Sequence, residues 1–276
     1  MVRRSNSTLT VVLGSLALVA LALLLLPLAG LVMQVPWSRL VLLLSQASVR
    51  SALQLSLVTS LSAVLVASVL GVPLAWLFAR TSFPGKEVVR ALALLPMVLP
   101  PVVGGVALLL AFGRRGLLGQ AFTSLTGLSL PFTTAGVVLA EAFVSMPFLV
   151  VSVESGLRML DARLEDAATM LGASRWLVLR RVTLPLVAPS LGAGMALCWA
   201  RALGEFGATI TFAGNLPGRT QTMPLAVYLE LETHPEAAYL LSLVLLVVSV
   251  TVLVVLRGHF LPEPKTATTT SPLNPP

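Results

Sequence analysis

Arg201 and Glu205 stand four residues apart in an otherwise apolar stretch, a spacing that puts two helical side chains on one face. Such a pair either satisfies itself and fixes packing, or lines a path for a charged solute. A charge in apolar surroundings is costly unless it faces a cavity or a partner. An anion would be drawn to Arg201 and repelled by Glu205, so Glu205 is better suited to neutralising Arg201 and ordering a gate. A half-compensated arginine also suits transit, because a bare one would hold an anion too tightly to release it. Glu141 is a lone acid in another apolar run, either hydrogen-bonded within a helix bundle or a proton carrier. A third stretch carries Pro96, Pro100 and Pro101 followed by Gly104 and Gly105. Prolines remove helix hydrogen bonds. They predict either a kinked, packed helix or a broken one lining a pore, where irregular backbone is tolerated. Pro100, Pro101, Gly104, Arg201 and Glu205 are therefore the pore or gate candidates. No catalytic constellation appears. With one cysteine, Cys198, and two histidines, the chain has no internal disulfide and no expected metal site.

The elements that position these residues must be membrane helices. The chain has 276 residues, is 57% hydrophobic and 11% charged, and has a mean hydropathy of +0.96. Soluble domains carry about a quarter charged residues, and disorder needs low hydrophobicity with high charge, so both classes are excluded. Uncharged or nearly uncharged apolar runs cover 8–33, 51–79, 91–112, 133–153, a stretch from about 182 past Arg201 and Glu205, and 237–256. About 20 apolar residues cross the hydrocarbon layer as helix. The reading is an all-α integral membrane protein with six spans, because the runs are apolar on all faces rather than alternating as in a barrel. The first run exceeds a signal-peptide core in length and lacks a small-residue cleavage pattern, so it reads as an uncleaved helix.

Orientation follows from Lys and Arg. With the N-terminus inside, 12 basic residues (Arg3, Arg4, Arg80, Lys86, Arg90, Arg158, Arg163, Arg175, Arg180, Arg181, Arg257, Lys265) fall on the inner side. Six (Arg39, Arg50, Arg114, Arg115, Arg201, Arg219) fall outside or at membrane level. Both termini are expected in the cytoplasm, and the net charge of +7 reads as topogenic rather than as a nucleic-acid footprint. Residues 1–50 form an N-terminal helix and outer loop, 51–260 the core domain, and 261–276 a Pro- and Thr-rich tail expected to be disordered.

The longest polar stretch, Glu154 to Arg181, lies between the fourth and fifth spans. Leu160, Leu164, Ala168 and Leu171 make an apolar stripe at helical spacing. Asp161 is placed to cap that helix, Gly172 to end it in a left-handed turn, and Ser174 to cap a second short helix. Pro185 opens the next span. On physical grounds this helix–turn–helix either rests on lipid headgroups or docks a soluble partner.

Asp166-Ala167-Ala168, then Gly172, then Val182-Thr183-Leu184-Pro185 resembles the signature loop of ABC-importer permeases: EAA, three residues, G, nine residues, I-x-LP. Asp166 stands for the Glu and Val182 for the Ile. The resemblance implies the type I permease architecture. It also implies that Asp166, Ala167, Ala168, Gly172, Leu184 and Pro185 couple the chain to a cytoplasmic ATPase, with 154–184 as the coupling loop. The chain has no G-x-x-x-x-G-K-[ST] phosphate loop, so ATP and magnesium would be held by the partner. The stretches Phe112-Gly113-Arg114-Arg115-Gly116, Arg201 to Thr209, and Ala213-Gly214-Asn215-Leu216-Pro217-Gly218-Arg219-Thr220-Gln221-Thr222 are similar to those of molybdate-importer permeases; sulfate permeases share part of them. This implies a homodimer in a bacterial or archaeal inner membrane, two ATP-binding subunits and an extracytoplasmic oxyanion-binding protein. The alternatives are a tungstate- or sulfate-type permease and a proton-coupled secondary transporter built on Glu141.

Overall fold

The structure is a computed structural model that describes residues 7–260. Arg3, Arg4, Lys265 and the tail from 261 lie outside the described residues. In chain order the helices are α1 (Ser7–Gln34), α2 (Leu40–Ser45), α3 (Ala47–Arg80), α4 (Lys86–Leu94), α5 (Pro101–Phe112), α6 (Gly119–Thr126) and α7 (Thr134–Met159). They continue with α8 (Ala162–Met170), α9 (Arg175–Val178), α10 (Leu184–Leu203), α11 (Gly207–Phe212), α12 (Met223–Thr233) and α13 (Pro235–Phe260). Between α9 and α10 the backbone makes a wide π turn, Leu179–Thr183. No strand occurs among the described residues.

The core is the bundle of α3, α7 and α10, with α13 against α10 and α12. Small side chains set the close approach: Ala63, Ala67 and Ala75 on α3, Ala140 and Ala142 on α7, and Ala202 on α10 are all buried. Larger buried groups, among them Phe78, Leu149 and Trp199, fill the space between them. Membrane helices associate through such packing rather than by excluding water. The apolar window of α1 has no buried residue, and α1 packs mainly along α13. Its leucines face outward on every side, as a helix bathed in lipid requires.

Five helices are long and apolar enough to cross a membrane singly. The expected third span differs. Lys86–Met97 and Pro101–Phe112 are bent by 114° relative to each other. The physical reason is Pro96, Pro100 and Pro101, which remove three N–H donors within six residues and start α5 anew at Pro101. At 12 residues α5 spans roughly 18 Å, short of the ~30 Å hydrocarbon layer. Before the bend, α4 carries Lys86, Glu87 and Arg90 among exposed Val88, Val89 and Leu92, the pattern of a helix at an interface.

The fifth span also ends sooner than its composition suggests. α10 stops at Leu203, Gly204 caps it, and Glu205 lies in the break before α11. Glu205 N–H still donates to the Ala202 carbonyl at 3.0 Å, so the last turn continues without a regular helix.

Candidate functional site

The loop between α7 and α10 folds by its local signals. Asp161 accepts a hydrogen bond from Arg163 N–H at 3.0 Å, and Ser174 Oγ accepts one from Leu177 N–H at 3.3 Å. Gly172 has φ +84°. Its N–H donates to Thr169 and that of Ala173 to Ala168, at 2.9 and 3.1 Å. That is the double hydrogen bond of a helix ended by a left-handed residue, which glycine adopts without steric cost. Pro185 sits in the first turn of α10, but the helix is continuous with the π turn before it, so the wider turn and not a free helix end receives a residue that lacks an N–H.

The apolar stripe is only partly used inward. Leu160 packs on the core, whereas Leu164 is exposed and Leu171 is 89% exposed. Met170 is 88% exposed beside it. Leu171 lies at the C-cap, past the last helical turn, so the helix cannot carry it round to the bundle. Asp166, Ala167, Gly172, Leu184 and Pro185 are exposed, and Ala168 is half-buried. The six residues therefore belong to one structural region, at the end of the bundle where α3 and α7 finish and α10 begins.

That end is fastened by carboxylates that the sequence reading passed over. Glu154, buried on α7, accepts a hydrogen bond from Arg90 Nε of α4 at 3.0 Å and forms an ion pair with Arg158 Nη2 at 2.7 Å. Glu165 of α8 forms an ion pair with Arg80 Nη2 at 3.0 Å and accepts the Thr183 hydroxyl at 2.6 Å. The Arg158–Glu154 spacing of four was a readable signal. The arginines flanking the first short loop gave none that pointed to a particular acid.

At membrane level, Arg201 and Glu205 form an ion pair at 2.5 Å although they do not share a helix. Glu205 is 1% exposed, and its other oxygen accepts Ala208 N–H at 2.7 Å. The carboxylate thus caps α11 while neutralising Arg201, which stays partly exposed. α11 lies against α5. A Cβ on Gly105 would stand 2.6 Å from Thr211 Cβ and 2.9 Å from the Ala208 carbonyl, and one on Gly207 would stand 2.8 Å from Pro101 Cβ. Gly104 faces the ring of Phe143 on α7. Pro101 and Gly104 thus belong to a tightly fitted unit of α5, α7 and α11. Pro100, as N-cap, marks the break at which that unit begins. Glu141 is buried and accepts the Thr59 hydroxyl at 2.9 Å, tying α7 to α3. Cys198 is buried beside Ser145.

The glycine-turned loop 213–222 folds back into the core. Gly214 and Gly218 have positive φ, the Thr220 hydroxyl accepts Leu216 N–H at 2.9 Å, and Met223 N–H donates to Ser56 Oγ at 2.7 Å. Asn215 is half-buried in it. Arg219 is exposed and, with Arg114, Phe132 and Thr133, lines an open cavity of about 610 Å³. No group of His, Cys, Asp and Glu suited to a metal occurs among the described residues.

Comparison with known proteins places this architecture. Residues 71–263 match the family described as binding-protein-dependent transport system inner membrane component. The chain is 48% identical over 223 residues to the molybdenum transport system permease protein ModB of Mycobacterium tuberculosis (strain ATCC 25618 / H37Rv), covering 81% of this chain and 84% of the relative. It is 35% identical over 248 residues to the sulfate transport system permease protein CysT of Escherichia coli (strain K12), covering 88% and 89%. In fold it is similar to a chain of a bacterial alginate ABC transporter in complex with an alginate pentasaccharide-bound periplasmic protein, with TM-score 0.75, 16% identity, and 92% and 93% of the two chains covered. With its bundle, its bent third segment and its exposed α8 loop, the chain belongs to the ABC permease family of binding-protein-dependent inner-membrane transport components.

Proposed function

We propose that the chain is the membrane subunit of an ATP-driven molybdate importer, working as a homodimer with two cytoplasmic ATPase subunits and an extracytoplasmic oxyanion-binding protein. The observation that carries the machine is the α8 loop. It presents Asp166, Ala167, Met170 and Leu171 on an exposed surface that no part of the chain covers among the described residues. Apolar side chains so exposed on a polar loop suit a docking surface. Both termini and this loop then lie in the cytoplasm, in keeping with the 12-to-6 bias of basic residues.

In this reading, ATP and magnesium bind the partner subunits. Closure of the ATPase pair draws the two α8 loops together, and the bundle turns toward the outside. The oxyanion leaves the binding protein, passes the α5–α11 junction near Arg201, and is released inward when hydrolysis resets the pair. Pro100 and Pro101 form the break on which α5 pivots. Arg201, half-neutralised by Glu205, offers the anion a stop without a trap. The chain supports transport and performs no covalent step.

Molybdate is supported by the 48% identity to molybdenum permeases against 35% to the sulfate permease. A sulfate-type importer is the second reading, because that relative matches a larger share of the chain. The test is ATPase activity of the reconstituted complex, with all subunits from one genome, on addition of molybdate, tungstate or sulfate. Stimulation by molybdate and tungstate at far lower concentration than sulfate is expected. Stimulation by sulfate alone would keep the machine and replace the substrate.

A further inference from the structure

Among the described residues, helix α8 packs mainly on α9 and the π turn that follows it. Its caps are internal to the loop, and most of its residues are exposed. One side chain ties it to the membrane helices on two sides. Glu165 places one carboxylate oxygen 3.0 Å from Arg80 Nη2, on the last residue of α3, and the other 2.6 Å from the hydroxyl of Thr183, the residue before α10. Both ends are sheltered: the Arg80 and Glu165 side chains are 20% and 24% exposed, and Thr183 is 3% exposed. The side chain of Asp166, the neighbour that matches the signature motif, makes no ion pair or hydrogen bond to any described residue.

These two adjacent acids therefore divide the surface of α8 between them. Asp166 faces away from the bundle and is free for a partner. Glu165 faces the bundle and spends both oxygens on different elements. The Thr183 contact is a hydrogen bond to an ionised acceptor, stronger than a neutral one; the Arg80 contact is an ion pair whose partial burial limits its screening by salt. Arg80 also lies at the C-terminus of α3, where a cation complements the exposed carbonyls. Apart from this link, α8 joins the bundle through the extended residues at Leu160–Asp161, the left-handed turn at Gly172, and its packing on α9 and the π turn.

We propose that Glu165 is the positioning residue through which movement of α8 is handed to α3 and α10. This rests on the coupling-loop reading above. A push on α8 reaches α3 through Arg80 and α10 through Thr183, so the two helices move as a pair rather than one after the other.

The test uses the complete complex in proteoliposomes and reads the ratio of ATPase activity with and without molybdate-loaded binding protein. Glu165→Gln keeps a carbonyl oxygen for Thr183 and removes the charge that holds Arg80. Arg80→Gln breaks the same pair from the α3 side. Both variants are expected to co-purify with the ATPase and to lose stimulation by about fivefold or more, the lower end of ordinary coupling between sites. The swapped pair Arg80→Glu/Glu165→Arg, which can still hydrogen-bond Thr183, is expected to recover much of the loss; a merely local effect on α8 would not be rescued. Wild-type stimulation in either single variant overturns the proposal. Failure of the unsubstituted chain to retain the ATPase overturns the coupling-loop reading, and this proposal with it.

Discussion

The α8 end of the bundle and the α5–α11 junction are fastened by opposite means. At the α8 end, long side chains do the work. Arg80 of α3 reaches Glu165 of α8, Arg90 of α4 reaches Glu154 of α7, and Arg158 adds a second cation to Glu154 from the next turn of the same helix. At the junction, backbone meets backbone: Gly105 and Gly207 leave no space for a methyl group, and one ion pair, Arg201–Glu205, sits at the edge. A guanidinium on a flexible stem can follow a moving carboxylate over some distance. A glycine contact cannot stretch; it is made or it is lost. The first region is one that could stay connected if its elements shift, and the second one that holds a single geometry.

Three substitutions would break or sharpen that contrast. The largest effect is expected from Gly105→Leu. Its Cβ meets Thr211 and the Ala208 backbone, which has nowhere to move, so α11 must leave α5 at a cost of about 3 kcal/mol or more. The melting midpoint of the detergent-solubilised complex should fall and transport should be lost. An unchanged midpoint would mean that these helices do not pack this closely.

Next comes Arg201→Ala/Glu205→Gln, which removes both charges while leaving a carbonyl to accept Ala208 N–H. A folded complex with uptake reduced about tenfold, roughly 1.4 kcal/mol, is expected if Arg201 meets the anion. Uptake at the wild-type rate would assign the pair to packing alone. The smallest effect belongs to Gly172→Ala. Forcing an alanine to φ +84° costs about 1 kcal/mol, confined to the loop. Hydrogen exchange should speed up at Gly172 and Ala173, whose N–H groups close the turn, with the global melting midpoint unaltered. Exchange rates equal to wild type would show that the turn tolerates a side chain.

The parts of the fold legible in the sequence are those decided locally. The caps at Asp161 and Ser174 and the turn at Gly172 depend on residues at most five positions apart, and each forms as its residue type requires. The break in the third span was announced by its prolines, but not its 114° angle, which depends on how α5 fits α11. Glu205 was misplaced onto the helix of Arg201 because Gly204 interrupts a stretch whose composition gives no other sign of ending. The long-range links were silent. Arg90 and Glu154 are 64 positions apart and Thr59 and Glu141 are 82 apart, and no periodicity joins them. Glu165 shows the same limit at closest range. The motif singles out Asp166, while the residue before it carries the side-chain contacts to Arg80 and Thr183.

The π turn at Leu179–Thr183 has a consequence for α10. A π turn holds about one residue more than an α turn. Reabsorbing that residue would screw the preceding segment about 100° around the α10 axis and advance it by about 1.5 Å, the rotation and rise of a single α-helical residue. The thread between the α8 loop and the membrane therefore carries one unit of slack, and because Thr183 is both its last residue and the partner of Glu165, that slack is latched at the point where it would be taken up.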